Sequence, residues 1–170
     1  GPMKRPESKG STIFSIGMLV VAARRNLRQL AADTLKDLEL TPHEYWLLMV
    51  VQQEGPLALT SLAGRMWMDL PTVSRAVKAL SERELLQVKN DPRHGRKLLI
   101  SIHPQKGRSL MTELLKRTAR TQARLDDGLG AEDIDTLQRG LARIIENVGT
   151  ILKERAEEAN TAKSEFVANM

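Results

Sequence analysis

Residues 69–103, DLPTVSRAVKALSERELLQVKNDPRHGRKLLISIH, decide the reading of this chain. Asp69 and Pro71 are residues that open a helix, one as an oxygen acceptor for an orphan amide and the other by its fixed φ. Val73, Val77 and Leu80 then recur at helical spacing, which leaves Thr72, Ser74, Arg75 and Lys78 on the opposite, polar face. After Leu86 the period changes to two, with Leu86 and Val88, then Leu98, Ile100 and Ile102, separated by NDPRHGRK. Proline and glycine make that connector a hairpin loop. Helix, strand, Arg-rich turn and strand in this order predict a winged helix-turn-helix. Its helix offers basic and hydroxyl side chains to a major groove, and its turn is placed for the flanking minor groove and phosphates.

Working outward, Thr60 is expected to cap a brief helix running to about Met68, the first half of the helix-turn-helix. Leu57 to Leu59 suit a short edge strand, giving a wing of two to three strands. Thr41-Pro42-His43-Glu44 is a capping box with Pro at the first helical position, and the helix it starts should stop near Gly55-Pro56. Residues 11–38 carry Ile16, Leu19, Val20, Ala23, Leu27, Leu30 and Leu35 at helical spacing, and from Pro104 onward two further helical patterns flank the breaker Asp126-Asp127-Gly128-Leu129-Gly130. The expected fold is mainly α, α+β in class. It has a winged helix-turn-helix over 39–103, a helical dimerisation region from 11–38 and 104–152, and a helical tail over 153–170. Residues 1–10 read as a loose arm, headed by a Gly1-Pro2 protease scar before Met3. The terminal helices carry more apolar surface than one small wing domain covers, so a second copy is the expected partner.

The composition agrees. The 170 residues are 41% hydrophobic and 28% charged but only 3% aromatic, so the core must be aliphatic and suited to packed helices. The formal charge is +5, and between Arg75 and Lys97 seven Lys/Arg face three acids, which places much of the positive charge on the reading surface and fits a polyanionic partner. The absence of cysteine excludes disulfides and thiolate metal sites, and it fits a cytoplasmic location. The longest apolar run, Ile16 to Ala23, is far short of a membrane span. There is no Gly-rich phosphate loop, no H-E-x-x-H, no G-x-S-x-G and no metal-ligand spacing among His43, His94 and His103. Neither an enzyme nor a cofactor is expected.

Residues 11–152 resemble the MarR (multiple antibiotic resistance regulator) transcription factors. The resemblance is carried by LTPHEYWLLMVVQQEGPLALTSLAGRMWMDLPTVSRAVKALSERELLQVKNDPRHGRKLLISIHPQKGRSL, and above all by the wing signature D-x-R-x-x-R at Asp91, Arg93 and Arg96. It implies that Asp91 fixes the wing through an Arg and that Arg93 or Arg96 enters the minor groove. Arg75 is the expected base contact, since bidentate Arg to guanine is the commonest specific pairing, with Thr72 and Lys78 holding phosphates. Ser74, His94 and Lys97 complete the DNA-binding set. The resemblance also implies a homodimer on a pseudo-palindromic double-stranded operator, acting as a repressor. A small aromatic or anionic effector would bind near Phe14, Met18, Arg25, His43, Trp46, Met49 and Met111.

Three positions depart from the family pattern. His94 stands where an acid is common, His103-Pro104 replaces a better N-cap, and Arg83-Glu84-Leu85 lacks the glycine usual before the first wing strand. The tail adds a second resemblance: AKSEFVANM, at 162–170, is similar to the start of a histidine-kinase dimerisation helix. It implies an alternative function, a MarR-like sensory input module of a sensor histidine kinase.

Overall fold

The computed structural model describes residues 12–170, with side chains from Ser15 onward. The expected arm over 1–10 lies outside the described residues. Six helices and one hairpin follow in the order α1 (Thr12–Thr34), α2 (Pro42–Glu54), α3 (Leu59–Met66), α4 (Leu70–Glu82), β1 (Leu86–Asp91), β2 (His94–Ile102), α5 (Lys106–Leu125) and α6 (Ala131–Ala168). The chain forms two compact units that divide between Arg120 and Thr121.

Local chemistry accounts for most boundaries. The capping box at Thr41 forms in full, with the Glu44 amide donating to the Thr41 hydroxyl at 3.1 Å and the Thr41 amide donating to the Glu44 carboxylate at 2.9 Å. Asp69 caps α4 by accepting from the Thr72 amide at 2.8 Å. Two expectations need adjustment. α3 begins at Leu59 behind Ala58, which makes no side-chain cap, rather than behind Thr60. α1 ends at Thr34, four residues before Leu38, in a turn where Asp37 and Glu39 have positive φ. The edge strand at Leu57 reduces to a single bridge, Leu57 to Ile100, closed by two backbone hydrogen bonds of 3.1 and 2.8 Å.

The core of the first unit draws one or more fully buried residues from nearly every element: Leu48 of α2, Leu62 of α3, Val73 and Leu80 of α4, Leu86 of β1 and Leu114 of α5. Each such side chain removed from water contributes about 1.5–3 kcal/mol. α5 approaches the start of the wing closely at Gly107, where a Cβ would overlap the Leu85 carbonyl oxygen and crowd Ile102. Two arginines close the α1–α2 connection. Arg117 of α5 donates to the Thr34 and Lys36 carbonyls at 3.1 and 2.9 Å, and Arg83 donates to those of Glu39 and Leu38 at 2.8 and 3.4 Å.

The second unit is dominated by α6, an unbroken helix of 38 residues with none of them buried. At about 1.5 Å per residue it is close to 57 Å long. No helix among the described residues is long and apolar enough to cross a membrane.

Candidate nucleic-acid interface

α4 is oriented by Val73, Val77 and Leu80, all buried in the core of the first unit. Burying that stripe leaves Ser74, Arg75 and Lys78 exposed and Thr72 half-buried. The first turn is organised around Asp69, whose carboxylate is held below the usual range chiefly by the hydrogen bond from the Thr72 amide. The Arg75 guanidinium lies 3.5 Å from the Thr72 hydroxyl, a long and weak contact that leaves it available to a ligand.

The wing is an antiparallel hairpin in register from Leu86 opposite Ile102 to Asn90 opposite Leu98, with an irregularity before Asp91 pairs with His94. Its tip is therefore the dipeptide Pro92-Arg93, tighter than the eight-residue connector expected. Asp91 organises the tip, but through the backbone: it accepts from the Arg93 amide at 2.9 Å. No Asp91–Arg ion pair forms among the described residues. Arg93, His94, Arg96 and Lys97 are all exposed around this turn.

The electrostatic consequence follows from the ion pairs that do form among the described residues. Cations in them are Arg65, Lys106, Arg117, Arg139 and Arg143. Arg75, Lys78, Arg93, Arg96 and Lys97 are in none of these, so five positive charges on two neighbouring elements stand outside any ion pair. Arg83, which contributes to the positive charge of the same segment, is instead engaged with the carbonyls of the α1–α2 turn. The missing glycine before β1 is explained as well. Glu84 adopts the left-handed conformation, φ 57°, that a glycine would favour. Its carboxylate pairs with Lys106 at 2.7 Å, which holds its pKa below the usual range.

Against this geometry, residues 40–98 match the model of the MarR family. Over that segment the chain is similar to the MarR family. A probable transcriptional regulator from Pseudomonas aeruginosa is 29% identical, with 76% of this chain and 96% of that chain covered and a TM-score of 0.57. BpsR of Bordetella bronchiseptica, whose DNA binding is regulated by 6-hydroxynicotinic acid, is 24% identical over 85% of this chain and 97% of its own, with a TM-score of 0.60. A mutant MarR of E. coli in complex with operator DNA is 16% identical over 79% of this chain and 99% of its own, with a TM-score of 0.62, and shares the fold. No curated protein matches the sequence.

The residues expected around an effector are not gathered into one cavity of the single chain. Met111 is buried and Met49 half-buried in the core, whereas Met18, Arg25 and His43 are exposed. Trp46 is half-exposed with its ring centroid 5.1 Å from that of Tyr45, edge to face. The Phe14 side chain lies outside the described residues. Met111 does line a crevice of about 200 Å³ in the first unit, together with Gln52, Ile102, Arg108, Thr112 and Leu115. Arg108 escaped the sequence reading, although Arg108, Met111, Thr112 and Leu115 stand at the i, i+3, i+4, i+7 spacing of one helix face. Among the described residues no group of His, Asp or Glu is arranged to hold a metal ion.

Proposed function

We propose that this chain is a ligand-responsive transcriptional repressor of MarR type that binds a pseudo-palindromic operator as a homodimer. The observation that carries the reading is the set of exposed cations outside any ion pair on α4 and the wing tip, displayed by a winged helix similar to the MarR family. Arg75 reads a base edge, Thr72, Ser74 and Lys78 hold phosphates or neighbouring edges, and Arg93, His94, Arg96 and Lys97 follow the minor groove and its backbone. Asp91 shapes the tip that presents them. Two copies related by a two-fold axis would set their recognition helices about 34–36 Å apart, one turn of duplex.

Support for the second copy comes from apolar surface on each unit. α1 exposes Met18, Leu19 and Val21, each more than 60% accessible, and α6 exposes Leu137, Leu141, Ile145, Val148 and Leu152. Titrating the chain into its own upstream DNA at several salt concentrations tests the reading. Binding should be about nanomolar and weaken steeply with salt as phosphate counterions are released. Arg75→Ala should cost about 1–3 kcal/mol at its cognate base pair, whereas Arg93→Ala should weaken all sequences alike. If neither substitution changes affinity, these residues do not form the interface.

The crevice at Met111 supports an effector class. A volume of about 200 Å³ is below that of drug-sized sites and suits a single ring. The Arg108 guanidinium and Gln52 amide supply polar partners for a carboxylate at its edge, and the ring carboxylate that regulates the similar BpsR has this chemistry. A substituted benzoate or nicotinate should therefore release DNA from the wild-type protein. Arg108→Ala should abolish that response without changing DNA affinity in its absence; an unaltered response would move the effector elsewhere.

The unbroken course of α6 through 153–168 favours a second reading, in which the MarR-like part is a sensory input module whose tail transmits a rotation or shift to a histidine kinase. Sequencing the gene past Met170 tests it: a stop codon there removes this reading.

A further inference from the structure

The turn between α3 and α4 contains a residue that its local geometry disfavours. Trp67 ends α3 in the left-handed conformation, φ 54° and ψ 39°. The Met68 amide donates to the Ala63 carbonyl at 3.1 Å and the Trp67 amide to that of Gly64 at 3.3 Å. These are the two bonds of a Schellman motif, and Trp67 occupies the position after the helix that glycine normally takes, since a Cβ is strained there. The ring is only partly covered. Trp67 is 53% exposed, and among the described residues no group accepts from its indole N–H and no aromatic ring stacks on it. A large, half-exposed aromatic held at a strained backbone position is a candidate contact for a ligand outside the fold.

Its position indicates the partner. Trp67 is two residues before Asp69, the cap of α4, and the neighbouring Leu70 is also exposed. In a docked helix-turn-helix the first helix crosses the phosphate backbone while the N-terminal end of the second reaches the base edges. The segment 67–69 thus stands where the chain passes from backbone to groove. Indole is suited to that place, with an apolar face for deoxyribose and one N–H donor for a phosphate oxygen.

We propose that Trp67 is a DNA-backbone clamp, its ring lying on a sugar and its N–H donating to a phosphate beside the recognition helix. This rests on the DNA-binding reading above. The contact carries no charge and no base information, so it strengthens specific and non-specific binding alike and adds nothing to counterion release.

Trp67→Gly tests the clamp because fold and function should respond in opposite directions. The variant's Tm should equal or exceed that of the wild type, since glycine relieves the strained position. Its affinity for an unrelated duplex of about 30 base pairs, three helical turns, should fall by about tenfold with the slope against log salt unchanged. Trp67→Phe, which keeps a ring and loses the donor, should fall between. In a Trp46→Phe background, the remaining Trp67 fluorescence should change as that duplex is added. Unchanged fluorescence, or unchanged affinity of Trp67→Gly while Arg75→Ala weakens binding to the upstream DNA, overturns the clamp and leaves the interface standing. A lower Tm in Trp67→Gly overturns it in favour of a structural role. Loss of salt-dependent DNA binding by the wild type removes the interface itself.

Discussion

Asp69 shows how one short side chain can set both the shape of a helix start and its response to pH. Its carboxylate accepts the Thr72 amide at 2.8 Å, and that bond holds its pKa below the usual carboxylate range. A depressed folded-state pKa contributes stability that is fully present above the ordinary aspartate value, about 4, and is lost as pH falls through the lower, folded value. Asp69→Asn retains an uncharged capping oxygen and should lose that part of the acid response. Melting curves of the two proteins should therefore differ above pH 4 and converge below it; parallel curves down to the acid limb would show that the cap carries no linkage. Glu84 illustrates a different outcome at the same scale. Its place in the sequence reads as a departure from a glycine-bearing family pattern, yet its backbone keeps the glycine-like φ and its side chain gains Lys106.

The elements divide into those positioned by their own ends and those positioned by neighbours. α2 and α4 carry their start signals in sequence, and both caps form. α5 has a weaker local signal, His103, whose Nδ1 accepts from the Gln105 amide at 3.3 Å. It is located mainly by packing: Met111 and Leu114 enter the core, and Gly107 lets the helix meet the Leu85 carbonyl. Gly107→Ala should therefore cost about 1–3 kcal/mol through backbone displacement, although alanine is the better helix former. A thermal melt as stable as wild type would show that the approach of α5 to the wing can relax freely.

At the scale of the whole molecule, α6 buries none of its residues while exposing Leu137, Leu141, Ile145, Val148 and Leu152 along its length. A helix this long with an uncovered apolar stripe is expected to be covered in an oligomer. Sedimentation should give a dimer, and Ile145→Glu should shift it toward monomer and weaken operator binding by more than it weakens the winged helix's own stability. A dimer unaffected by that change would move the interface off this stripe. Beyond Leu152 the seam thins to Ala156 and Ala159 before Phe166 and Met170, so amide exchange should be faster over 153–165 than over 131–152.

Periodicity, caps and breakers are short-range signals, and for that reason the chain alone specified the helix-turn-helix, the wing, the two long helices and the basic face of α4: each depends on residues within a few positions of one another. The tight tip at Pro92-Arg93, closed by pairing of Asp91 with His94, is equally local, although the alternation of apolar residues did not mark it. Two things had no such local sign. Arg83 was diverted from the basic surface by carbonyls more than 40 residues away. Arg108, Gln52 and Ile102 came to share a crevice only once α2, β2 and α5 had packed. Contacts between residues distant in sequence depend on how the whole core packs, and that arrangement is set by the sum of burial across elements, which no single segment encodes.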